Sequence, residues 1–159
     1  METPRRIWLV ICIAGVLSLK PTPASAQAQG TTTIGVIPLS VVAENVCYNN
    51  WERVDITGQV QVETHVTIDD AGTFHLVQNS RATGQGVGEI SGANYTYDDY
   101  SHLVLKSTDP LPFDFRNRQT ITLVGVGVPD QVVRFYTVIR IDAQGNVKTF
   151  IDTATVDCS

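Results

Sequence analysis

Between Val54 and Asp69 the chain alternates almost without fault. Val54, Ile56, Val60, Val62, Val66 and Ile68 fall on one parity; Asp55, Thr57, Gln59, Gln61, Glu63, His65, Thr67 and Asp69 fall on the other. A period of two places successive side chains on opposite faces of a strand, one dry and one wet. A run this long rules out an amphipathic helix and requires neighbouring strands to cover the dry face. It ends at Asp69-Asp70-Ala71-Gly72. An Asp followed three residues later by Gly, between β patterns, predicts a type I turn closed by a left-handed glycine. The return strand runs from Thr73 to about Gly88. If Asp69 faces Thr73, Val66 meets Leu76, Val60 meets Ala82 and Gly58 meets Gly84. Facing glycines mark a sharp bend or a close backbone approach.

More strands follow in the same style. Tyr95 to Lys106, Phe113 to Gly127, Val132 to Asp142 and Val147 to Cys158 each read as β, with Asp142-Ala143-Gln144-Gly145 repeating the Asp-x-x-Gly turn. A parity shift near Phe150 predicts a bulge. Gln27 to Thr33 is small and polar and reads as a flexible leader. Ile34 to Val42 reads as a short edge strand or a segment across an open end, because Pro38 argues against a central position. No helical period is evident after the N-terminal segment. Six long strands joined by short turns form an antiparallel meander. The expected fold is all-β, a single-domain meander closed into a coiled β-barrel, which removes its edges; the alternative is a two-layer β-sandwich.

The N-terminus predicts export. Arg5 and Arg6 precede an apolar run from Ile7 to Leu19, and Ala24-Ser25-Ala26 offers a cleavage site. That is the pattern of a secretory signal peptide over residues 1–26. Residues 27–46 then form the leader and N-terminal segment, and residues 47–159 the barrel domain. Secretion or a periplasmic location is expected. Cleavage removes three basic residues and one acidic residue, taking the formal net charge from −5 to −7. No basic stripe remains, which argues against nucleic acid as a partner and against a membrane partner once the signal is removed. Cys47 and Cys158 are the two cysteines outside the signal segment. In an exported chain they read as a disulfide. Its formation between the ends of a six-stranded meander would also favour closure.

Candidate chemistry lies on the dry parity of the third and fourth of these strands. Tyr95, Tyr97, Leu103 and Leu105 enclose Asp99 and Ser101, while Phe113, Phe115, Ile121 and Leu123 enclose Asn117 and Gln119. Pairing Leu103 with Phe115 sets Ser101 against Asn117 and Asp99 against Gln119. Polar groups on a dry face need hydrogen-bond partners. They read as a structural network with bound water, as a polar lining that orients a ligand together with Tyr95 and Tyr97, or as an acid–base site at Asp99. Asp99 is the sole catalytic candidate, and no catalytic residue is assigned. On the wet parity, His65 and His75 lie diagonally across the first hairpin without a third metal ligand. Asp98 and His102, four residues apart on a strand, stand about 13 Å apart, too far to act as a pair. No metal or cofactor is implied.

The tail from Ile141-Asp142-Ala143-Gln144-Gly145-Asn146-Val147 to Val156-Asp157-Cys158 resembles that of small exported bacterial β-rich proteins of no assigned activity, which share the signal peptide, the early cysteine and hairpins of this kind. The resemblance spans roughly residues 47–158 and implies no activity and no catalytic residue. The architecture also resembles lipocalins and the allene oxide cyclase barrel, although the lipocalin Gly-x-Trp is absent: Asn49 and Asn50 precede Trp51. The function expected is an exported, non-catalytic binding or interaction module, holding a small apolar molecule inside the barrel or meeting a protein partner. The alternatives are a small barrel enzyme of isomerase or cyclase type using a buried Asp99, and a surface or assembly protein using the tyrosine-rich strand around Tyr100.

Overall fold

The computed structural model describes residues 29–49, 51–108 and 111–159; the expected signal peptide, residues 1–26, lies outside the described residues, as do residues 27–28, Asn50 and Asp109-Pro110. Among these residues the chain forms seven strands: β1 (Gln29–Asn45), β2 (Glu52–Ile68), β3 (Phe74–Gly88), β4 (Asn94–Ser107), β5 (Phe113–Gly125), β6 (Gln131–Ile141) and β7 (Val147–Cys158). They make one antiparallel meander sheet in the order β1 to β7. Each strand hydrogen-bonds to the next in sequence, as short turns and alternating patterns require.

The expected barrel is not closed by hydrogen bonds. The six-strand count omitted β1, which runs for 17 residues and pairs with β2 along its whole length, including the polar stretch Gly30 to Thr33. Its polar residues lie along an exposed edge, where threonines and small residues suit a strand without a core to fill. With seven antiparallel strands, β1 and β7 point the same way. A direct β1–β7 ladder would therefore be parallel, and none forms.

One end of the sheet nevertheless curls shut. Cys47, in the β1–β2 connection, forms a disulfide with Cys158 at the end of β7. The Gln131 side chain bridges back to β1: its Nε2 donates to the Glu44 carbonyl at 2.8 Å, and its Oε1 accepts from the Val46 amide at 2.6 Å. The core sits at this end, where Val54, Ile56, Ala82, Tyr95, Tyr97 and Leu123 are buried. Facing glycines tighten the curl. A Cβ on Gly58 would lie 2.6 Å from Gly84 Cα and closer still to the Thr83 carbonyl, so neither backbone can withdraw from it.

The two Asp-x-x-Gly turns form as expected. Gly72 and Gly145 adopt φ values of 79° and 83°, which only glycine occupies without strain. Asp69 Oδ1 accepts from the Ala71 and Thr73 amides, and Asp142 Oδ1 from those of Gln144 and Asn146. The amides of Thr73 and the imidazole of His75 hold the Asp69 carboxyl down at about 2; Lys148 and the Asn146 amide do the same for Asp142. The β7 irregularity falls opposite Arg140/Ile141, two residues before Phe150, where Lys148 is left without a partner in the register.

Candidate functional site

The inner face of the curled sheet is read most simply in rungs, the lines of facing residues that cross the strands. Nearest the closed end are the core residues. Further along, Thr64, Gln78, Leu103, Asn117, Thr137 and Asp152 stand in register from β2 to β7. The next rung is apolar throughout: Val66, Leu76, Leu105, Phe115, Ile139 and Phe150. None of these six is fully buried, and Phe150 is 67% exposed. The Phe115 ring stacks parallel to that of Phe113, 6.4 Å away. The even parity of β2 and β3 and the odd parity of β4 to β6 produce this alignment directly, since a pleated strand returns the same face every second residue.

The polar residues beside the apolar rung are paired with one another. Gln78 Nε2 donates to Thr64 Oγ1 at 3.0 Å. Ser101 Oγ donates to Asn117 Oδ1 at 3.0 Å. Gln119 Nε2 lies 3.0 and 2.9 Å from the two Asp99 oxygens, and Tyr97 Oη donates to Asp99 Oδ2 at 3.1 Å. Thr137 Oγ1 donates to Asp152 Oδ1 at 2.9 Å. Burial, followed by the charge and hydrogen bond of Asp99, holds the Tyr97 phenol far above its usual range. The result is a polar belt across six strands with an apolar surface on each side.

The expected facing of Ser101 with Asn117 and of Asp99 with Gln119 does not form, although the side chains of both pairs hydrogen-bond. Leu105, not Leu103, faces Phe115, so Ser101 stands opposite Gln119 and Asp99 opposite Ile121. A slip of two residues keeps every side chain on its face. The long amides then reach their partners diagonally. Tyr95 is not part of this cluster. It is buried at the closed end, where its hydroxyl donates to Glu52 Oε2 at 2.5 Å and accepts from Asn45 Nδ2 at 3.1 Å. Tyr97 links the buried core to the belt.

Glu52, Asn45 and Gln131 escaped notice as a sequence pattern, yet all three are buried. Glu52 Oε1 accepts from the Ile90 and Ser91 amides at 3.1 and 2.6 Å. Burial pushes the Glu52 carboxyl up, and the Tyr95 hydroxyl with the Ser91 and Ile90 donors outweighs it, leaving it below its usual range. Burial and Glu52 together raise the Tyr95 phenol to about 12. Parity was the available signal: Glu52 falls in step with Val54 and Ile56, and Gln131 with Val133 and Phe135. This network satisfies its members and lies behind the core, so it serves architecture.

A cleft of about 310 Å³ opens between the β1 edge and β6, lined by Val41, Ala43, Tyr97, Leu123, Val133 and Phe135 among others. On the outer face, paired charges dominate. Arg81 forms a two-pronged bridge to Asp98, Asp114 lies between Arg116 and Arg140, and Arg118 stacks over Tyr136. His102 is held there by Asn79 at 2.7 Å, on the opposite face from Asp99. His65 and His75 bond separately to Thr32 and Asp69. No group of three or more His, Cys, Asp or Glu suited to a metal occurs among the described residues. Comparison with protein-family models, with curated proteins and with solved structures yields no match.

Proposed function

We propose that this is an exported, non-catalytic binding protein whose inner sheet face takes an elongated, mainly apolar molecule carrying a polar group. The apolar rung from Val66 to Phe150 carries this reading. Six large apolar side chains in register, left partly exposed, form a surface that burial in a ligand would stabilise at roughly 25 cal/mol per Å² of apolar area covered. The belt beside it supplies donors and acceptors from Asn117, Ser101, Gln119 and Asp99 to orient a polar group. The disulfide supports an oxidising compartment, either periplasmic or outside the cell.

The isomerase or cyclase alternative has less support. Asp99 already receives Gln119 and Tyr97, and the nearest strand histidine, His102, stands on the other face. A fluorescent long-chain polyene fatty acid, titrated into the disulfide-bonded protein, tests the proposal. Saturable binding is expected, weakened at least tenfold by Leu105→Arg. Absence of saturable binding, or binding indifferent to that change, would overturn it.

A further inference from the structure

No run of basic residues occurs after Lys20, yet the strand registers assemble one. On the outer face, Lys106 of β4 stands opposite Asp114 of β5, and Asp114 opposite Arg140 of β6. Arg116 and Arg118 take the next two outward places along β5. All four cations are exposed. With one carboxylate among them they leave a formal charge of +3, in a chain whose net charge is −5. From Asp114 to Arg118 this track runs for about 13 Å. The places beside Arg116 are Val104 and Val138, and those beside Arg118 are His102 and Tyr136, so no acid flanks that stretch. A cleft of about 280 Å³ opens at the Asp114 end, with Pro112, Phe113 and Ile141 in its walls beside Lys106 and Arg140.

Asp114 shows how a carboxylate sits here. Arg116 holds it with two prongs, Nε and Nη2 each 3.0 Å from one of its oxygens, and Arg140 Nε lies 3.1 Å from Oδ2. Further along, Arg118 has an arginine neighbour and no acid. Its guanidinium lies 5.2 Å from the centre of the Tyr136 ring. Stacking on a ring face leaves the in-plane N–H donors free. Among the described residues no carboxylate lies within ion-pair distance of Arg118 or of Lys106.

Independently of any ligand on the inner face, we propose that this track binds an acidic polysaccharide, with Arg118 and Lys106 each taking a uronate carboxylate and Arg116 and Arg140 completing the row. The arginine fork matches a carboxylate, as Asp114 already demonstrates. A narrow chain meets the track alone. A broad anionic surface laid on the same face also meets Asp98, Asp157 and Glu63, and at physiological salt repulsion persists within about 8 Å. A single nucleic-acid strand gains affinity by stacking its bases, and the ring on the track, that of Tyr136, is already covered by Arg118. Each exposed ion pair is weak, so affinity comes from several carboxylates on one chain and falls as salt rises.

Calorimetric titration of the disulfide-bonded protein with a galacturonate hexamer at low salt tests the proposal. Saturable binding is expected, roughly tenfold weaker for the fully methyl-esterified hexamer, whose carboxylates are masked. Arg118→Gln and Lys106→Gln should each weaken it about threefold or more. Asp114→Asn, which removes the competing acid, should tighten it, and Arg53→Gln, on β2 away from the track, should leave it unchanged. Absence of saturable binding, equal binding of the ester, indifference to Arg118→Gln or weakening by Asp114→Asn would overturn the proposal. So would a glutamate hexamer, a thymidylate hexamer or anionic vesicles binding as tightly as the uronate, which would make the track a site for another polyanion.

Discussion

The Tyr95 hydroxyl donates a 2.5 Å hydrogen bond to Glu52, joining β4 to the first residue of β2 at the closed end of the sheet. Asn45 donates to the same hydroxyl from the end of β1 and also to the Pro129 carbonyl. The starts of β2 and β4 and the end of β1 therefore meet at one phenol, and Asn45 ties that junction to the Pro129 carbonyl. Tyr95→Phe keeps the ring and removes this junction. It should cost about 1–3 kcal/mol of stability, the penalty for leaving buried polar partners short of a bond. Denaturant unfolding, with an unchanged slope, measures it.

The turn carboxylates set an acid limit. Asp69 and Asp142 are held at about 2, below their ordinary value of 3.8. A lowered carboxylate contributes stability that is fully present above its unfolded value and disappears as pH falls through its folded value. The denaturant midpoint should therefore begin to fall below about pH 4 and continue to fall to about pH 2. Asp69→Asn should flatten part of that decline; an unaltered profile would remove Asp69 from the account.

Space at the facing glycines predicts a sharp contrast between two conservative changes. Gly58→Ala forces a methyl against the Thr83 and Gly84 backbone and should cost about 1–3 kcal/mol. Gly35→Ala, on β1 with no atom within 4 Å of the new carbon, should stay within about 0.5 kcal/mol. Thermal unfolding of the two variants side by side checks the contrast.

The Cys47–Cys158 bridge closes a loop of 111 residues. In the chain-entropy model its reduction removes on the order of 4–5 kcal/mol. Cys47→Ser with Cys158→Ser should show a loss of this size, while Gln131 still holds β1 to β6, and Asn45 holds it to Tyr95 and the Pro129 carbonyl, in the folded fraction.

Much of this arrangement was legible residue by residue. The turn at Asp69 fixed the β2–β3 register, so Gly58 meets Gly84 and Val66 meets Leu76 as expected. The β4–β5 connection carried no comparable signature; its register was inferred from apolar matching alone, which a shift of two residues leaves intact. The barrel expectation failed at β1. Gln29 to Thr33 look like a leader because this end of the strand is exposed and has no core to impose alternation, whereas the proline correctly marked Ile34–Val42 as edge rather than centre. Adding that strand makes the number odd and sets the two edges parallel. The apolar rung became visible only when all six registers were known together. Glu52 was hidden by its residue type, although its parity was that of the core.

If the inner face takes a ligand as proposed, it should be occupied in the native setting. Native mass spectrometry of the disulfide-bonded protein purified from its own host, set against the denatured, unreduced mass, tests this. A non-covalent increment of a few hundred daltons per chain is expected, lost in Leu105→Arg. A bare native mass, equal to the chain alone or to a whole number of chains, would contradict it.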